Sequence, residues 1–116
     1  MTIKIDPFVR SYLETALWSS TDDNGISLDA QYQVGDCSPK ALAQAESDCR
    51  DFREQSGEEF DNEEDAHNFW LTRNRHGAGF WDGDYPEPDA TRLTELSHSF
   101  GTCWLYIGDD GMIYCS

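Results

Sequence analysis

The chain has 116 residues, enough for one domain with its own core, and 23 Asp plus Glu against 8 Lys plus Arg leave a net charge of −15. That surplus repels phosphates, which argues against direct binding to DNA or RNA and against anionic membrane surfaces, while basic proteins and metal cations stay electrostatically allowed. No window approaches the ~20 apolar residues of a membrane span, and MTIKIDPFV has no leader signature, so the protein is expected to stay where it is made.

Asp6-Pro7 reads as a helix start, with Asp at the N-cap and Pro pre-set at the first helical position. Phe8, Val9, Tyr12, Leu13, Ala16 and Leu17 then recur at helical spacing through Trp18. Asp22-Asp23-Asn24-Gly25 is a turn signal, and the following ISLDAQYQV reads as irregular. Ser38-Pro39 repeats the start signal; Leu42, Ala45, Cys49 and Phe52 form a narrower stripe on a helix running to about Gln55, stopped by Ser56-Gly57.

Residues 58–65 are almost continuously acidic and lead into a third helix over Glu63 to Asn74, since acids are favoured at a helix start. That helix is expected to bury Ala66, Phe69 and Trp70, with Asn68, Thr72 and Arg75 facing out. His76-Gly77-Ala78-Gly79 then permits a close reversal, and Gly79–Trp81 reads as a short strand. Pro86 and Pro88 interrupt regular structure before Asp89 caps a fourth helix, with Leu93, Leu96 and Phe100 inward, His98 exposed and Gly101 as the stop. CWLYIGDDGMIYC is a hairpin signal around Gly108–Gly111. The expected architecture is a single α+β domain over residues 1–116: about four helices packed on a small antiparallel sheet made of this C-terminal hairpin plus the strand after the HGAG turn.

Cys37, Cys49, Cys103 and Cys115 are widely and irregularly spaced, without a Cys-x-x-Cys pair or paired His, so structural zinc is not expected. Buried free thiols are the favoured reading, with a Cys103–Cys115 bridge across the hairpin reserved for an oxidising compartment. Asp82, Asp84, Glu87 and Asp89 cluster, but Pro86 takes a ligand position and no Glu closes a calcium loop. No metal or cofactor is expected.

Residues 66–82, AHNFWLTRNRHGAGFWD, are the densest stretch in aromatic, His and Arg residues. They offer a candidate pocket of Trp70, Arg73, His76, Trp81 and Asp82, in which His76 could move protons. No nucleophile accompanies it, the glycine spacing fits no phosphate-binding fingerprint, and no catalytic motif is recognisable. A third reading makes Trp70, Phe80, Trp81 and Trp104 simply core.

The acidic belt from Glu46 to Asp65 holds ten acids and two Arg. It reads either as a solvated face or as a surface that imitates nucleic acid, its carboxylates occupying a site built for phosphates. Asp51, Glu54, Glu58, Glu59, Asp61 and Glu64 would form the contact.

FWLTRNRHGAGFWD (residues 69–82), with YLETALWSSTDDNG, ESDCRDF, RLTELSHSFG and LYIGDDGMIYC, resembles a family of small acidic accessory proteins of tailed bacteriophages and prophages over nearly the whole chain. The family commonly carries a small residue where Arg75 stands. The resemblance implies a phage accessory protein in the bacterial cytoplasm, not a virion part, and supplies no activity to transfer. With the belt, it leads to a non-enzymatic interaction protein directed at a basic, nucleic-acid-handling host or phage protein; a small-ligand binder or enzyme using the His/Arg/Asp pocket is the alternative.

Overall fold

The computed structural model describes residues 5–75, 79–80 and 85–115. They form an α+β fold of four helices, α1 (Pro7–Ser19), α2 (Pro39–Ser56), α3 (Glu63–Arg73) and α4 (Asp89–Ser99), with an antiparallel pair of strands, β1 (Leu105–Ile107) and β2 (Ile113–Cys115). Short 3-10 turns at Leu28–Ala30, Val34–Asp36 and Glu58–Phe60 connect them. No helix among the described residues is long and apolar enough to cross a membrane.

The first two helices start as their caps dictate. The Asp6 carboxylate accepts from the Phe8 amide at 2.8 Å, and the Ser38 hydroxyl accepts from the Ala41 amide at 3.0 Å. Gly57 ends α2 at φ 107°, a conformation costly for a residue with a Cβ. α3 opens on a capping box in which Asn62 and Asp65 each accept the other's backbone N–H. α1 packs along α3, α4 covers another side of α3, and α2 contacts α1, α4 and β2.

Phe52 is the hub of the core. Its ring stacks on Phe69 at 4.3 Å, Phe80 at 5.7 Å and Phe8 at 6.2 Å, so one side chain of α2 touches α1, α3 and the segment after α3. Trp70 is buried, whereas Trp104, expected in the core, is 57% exposed because it precedes the edge strand. Trp81 lies outside the described residues.

Several expectations are corrected. Gly79 and Phe80 form a bend and turn rather than a strand, so the sheet has two strands among the described residues. Asn68 and Thr72 are buried, because the segment after α3 folds back over their face: Thr72 Oγ1 accepts from the Phe80 amide at 3.1 Å, and Asn68 Nδ2 donates to Tyr85 at 3.2 Å. A Cβ at Gly79 would collide with the Thr72 side chain, which is the close approach its glycine permits. Asp89 is the first residue of α4 and pairs with Arg92 at 3.7 Å; Pro88, which cannot cap through a side chain, stands at the N-cap.

The hairpin is held from two sides. The Ser38 amide donates to the Ile113 carbonyl at 2.8 Å, pinning β2 to the start of α2. Cys103 and Cys115 are joined as a disulfide, correcting the free-thiol reading for that pair, while Cys37 and Cys49 are buried thiols. Closing a 12-residue separation restricts the unfolded chain by about 3 kcal/mol.

Burial, helped by the neighbouring Asp36, pushes the Cys37 thiol up from 9.0 to about 11. A raised acid pKa in the folded state contributes stability that is complete below pH 9.0 and lost as pH climbs toward 11. Between pH 8 and 10.5 this thiol is therefore expected to withdraw about 2 kcal/mol. Urea unfolding at both pH values checks it: Cys37→Ala should show a correspondingly smaller loss on going alkaline than the parent.

Candidate functional site

α2 presents Glu46, Arg50, Arg53, Glu54 and Gly57 along one stripe, because residues three and four apart share a helical face. With Asp6, Val9 and Asp61 opposite, they line an open cleft of about 750 Å³ whose floor includes the buried Cys49. Arg53 is the strut across it. Its guanidinium reaches Asp6 at 3.2 Å and Asp61 at 4.0 Å and lies over the Phe8 ring at 5.0 Å. Arg50 is loosely held, 3.9 Å from Asp51 on a largely exposed side chain.

The remaining acids are left outward. Glu46, Glu54, Glu59, Glu63 and Glu64 are exposed, and none takes part in an ion pair among the described residues. Asp51 is half-exposed and Asp61 exposed; the side chain of Glu58 lies outside the described part of the structure. The predicted contact residues thus fall on α2, the turn after it and the first turn of α3.

Two acids of the belt point inward instead. Asp65 is 2% exposed: one oxygen caps α3 and the other accepts from the Tyr85 hydroxyl, whose own pKa is pushed up by burial and then by this carboxylate. Asp48 turns into the protein to meet Arg73 at 2.8 Å. A signal for it existed in the sequence, since position 48 lies three residues after Ala45 and four before Phe52, beside the buried stripe.

Arg73 and Trp70, both candidates for the pocket, are core residues. Arg73 Nη1 donates to Asp48 and to the Tyr12 hydroxyl, each at 2.8 Å, Nη2 to the Phe100 carbonyl at 3.1 Å and Nε to the Gly101 carbonyl at 3.0 Å. Burial opposes its charge, but Tyr12 and Asp48 outweigh that and push its pKa up. Burial pushes the Tyr12 hydroxyl up as well. Trp70 Nε1 donates to the Ser19 hydroxyl at 2.8 Å. His76, Trp81 and Asp82 lie outside the described residues.

Arg75 is exposed at φ 58°, the left-handed position just past a helix end where a residue without a Cβ is favoured. Among the described residues no group of three or more His, Cys, Asp or Glu could hold a metal ion. Comparison with protein-family models, curated proteins and solved structures finds no significant match to the chain.

Removing the buried Arg73 side chain would leave the half-buried Asp48 without its countercharge and the Tyr12, Phe100 and Gly101 acceptors unmet, a loss worth about 3–5 kcal/mol. Arg73→Ala is expected to cost that much in equilibrium unfolding, with Arg73→Lys recovering only part because an ammonium cannot span the same acceptors. A loss below about 1 kcal/mol would mean that the cluster is not structural.

Proposed function

We propose that this protein is a non-enzymatic, phage-encoded interaction protein that acts in the bacterial cytoplasm. Its acidic face docks on a basic, nucleic-acid-handling protein of the host or the phage and occupies the surface that would otherwise meet phosphates. The observation that carries this reading is the run of outward carboxylates from Glu46 on α2 to Glu64 on α3, flanking a cleft in which, among the described residues, only Arg50 and Arg53 offset the charge. Such a surface speeds encounter with a basic partner and releases that partner's counterions, so binding weakens steeply with salt.

The cleft gives the contact a shape as well as a sign. Val9 and Cys49 offer an apolar floor and Glu46 and Glu54 acidic walls, which suits an inserted lysine or arginine side chain with its aliphatic stem. In a reducing cytoplasm the Cys103–Cys115 pair would be held as thiols, leaving the hairpin pinned through Ser38 and Ile113. The phage setting rests on the sequence resemblance. Trp70 and Arg73 are engaged inside the core, so nothing described favours the pocket alternative.

Affinity capture from bacterial lysate, washed at low and at high salt, tests the proposal together with a variant carrying Asp51→Asn, Glu54→Gln, Glu59→Gln and Glu64→Gln. The parent is expected to retain a basic nucleic-acid-handling protein that DNA displaces and high salt releases. The variant should lose at least about tenfold in affinity while its stability stays within about 0.5 kcal/mol. If the variant keeps the same partner at the same salt sensitivity, the acidic face is not the contact.

A further inference from the structure

We infer that the outer edge of β1, with the hollow beside it, is a second docking site that takes an extended, basic segment of a partner protein as an added strand. The two edges of the sheet differ. β2 is covered, since Ile113 bridges to Cys37 in parallel and its carbonyl accepts from Ser38. β1 has no strand beyond it among the described residues.

The register tells which groups are free to pair. The Gly108 amide donates to the Met112 carbonyl at 2.8 Å, and Gly111 takes φ 82° after Asp109 and Asp110, the geometry of a three-residue hairpin loop. Exchange pairs alternate along an antiparallel ladder, so the next lies at Tyr106 and Tyr114. The N–H and C=O groups of Leu105 and Ile107 therefore point away from β2, toward the open edge.

Beside that edge lies a hollow of about 360 Å³ between Leu105–Ile107 and the loop 21–24, with Leu28 in its lining. Its strand side is apolar: Tyr106 and Ile107 are exposed, Trp104 precedes them, and the Tyr106 ring stacks on Tyr114 at 5.7 Å. Its opposite wall is acidic. Asp22 is used by the Asn24 and Ile26 amides, at 2.8 Å and 3.0 Å, whereas the exposed Asp23 makes no hydrogen bond or ion pair among the described residues. Among the described residues no Lys or Arg lines the hollow.

Charge selects the occupant. A second copy of this chain would bring the same Asp22 and Asp23, and a net charge of −15, against this wall. A segment alternating apolar residues with Lys or Arg matches both the aromatic face and the acidic one, and its backbone completes the edge. This site is separate from the α2 face and stands or falls independently of it.

The test is solution NMR of the whole protein titrated with a synthetic peptide alternating valine and arginine, beside the same peptide with glutamate for arginine. The arginine peptide is expected to shift the Leu105 and Ile107 amides saturably, and the glutamate peptide to leave them unmoved. Asp23→Lys should weaken binding about tenfold. Ile107→Pro removes an outward N–H without touching the ladder, and should abolish binding while the Tyr114 amide stays protected; if that variant fails to fold, Asp23→Lys and the glutamate peptide still decide. Unmoved Leu105 and Ile107 amides, equal binding of both peptides, or a homodimer in sedimentation that Asp23→Lys strengthens would overturn the inference.

Discussion

A buried guanidinium sets the terms for the rest of this molecule. Arg73 stands at the last turn of α3, 4% exposed, and a charge so placed is tolerated only if its donors are met. The donors are met by Tyr12 of α1, Asp48 of α2, and the Phe100 and Gly101 carbonyls that follow α4. All four helices are therefore positioned by one side chain. Phe69 and Phe100 lie 5.7 and 5.8 Å from the guanidinium carbon, so the same cation is also held by ring faces of the core. The adjacent Asn74 extends the arrangement, since its Oδ1 accepts from the Cys103 amide at 2.7 Å and ties the hairpin's approach to the end of α3.

This arrangement sorts the acids into two populations. Asp48 and Asp65 are consumed inside, one by Arg73 and one by the α3 cap and Tyr85. With Arg73 buried and Arg53 braced between Asp6 and Asp61, few cations remain to offset the outward carboxylates of α2 and α3. The external field of the protein thus follows from the excess of 23 Asp plus Glu over 8 Lys plus Arg, since the core withdraws one Arg together with two acids. A binding function fits such a field better than a buried polar site does, because the polar groups that are buried are already engaged with one another; Ser56 Oγ is the one buried side-chain oxygen without a partner among the described residues.

What could be read in advance was local. Asp6-Pro7 and Ser38-Pro39 begin helices because a capping side chain and a fixed φ act within one turn, and Gly108-Asp109-Asp110-Gly111 makes its hairpin for the same reason. What misled was tertiary. Asn68 and Thr72 look like surface residues on a helical wheel, yet Tyr85 and Phe80 return over them. Trp104 reads as core by composition and lies outside because β1 is an edge. The belt was legible as charge, and helical spacing from Ala45 and Phe52 sets Asp48 beside the buried stripe, but the Arg73 that draws it inward, and that Asp51 does not meet, comes from another helix.

The most direct test of this organisation is a double-mutant cycle between Arg73 and Asp48, with Arg73→Met and Asp48→Asn measured singly and together by urea unfolding. If one guanidinium holds α2 to α3, the pair should show a coupling on the order of 2–3 kcal/mol. Single effects that simply add, to within about 0.5 kcal/mol, would contradict it and leave the aromatic stack around Phe52 as what holds the helices together.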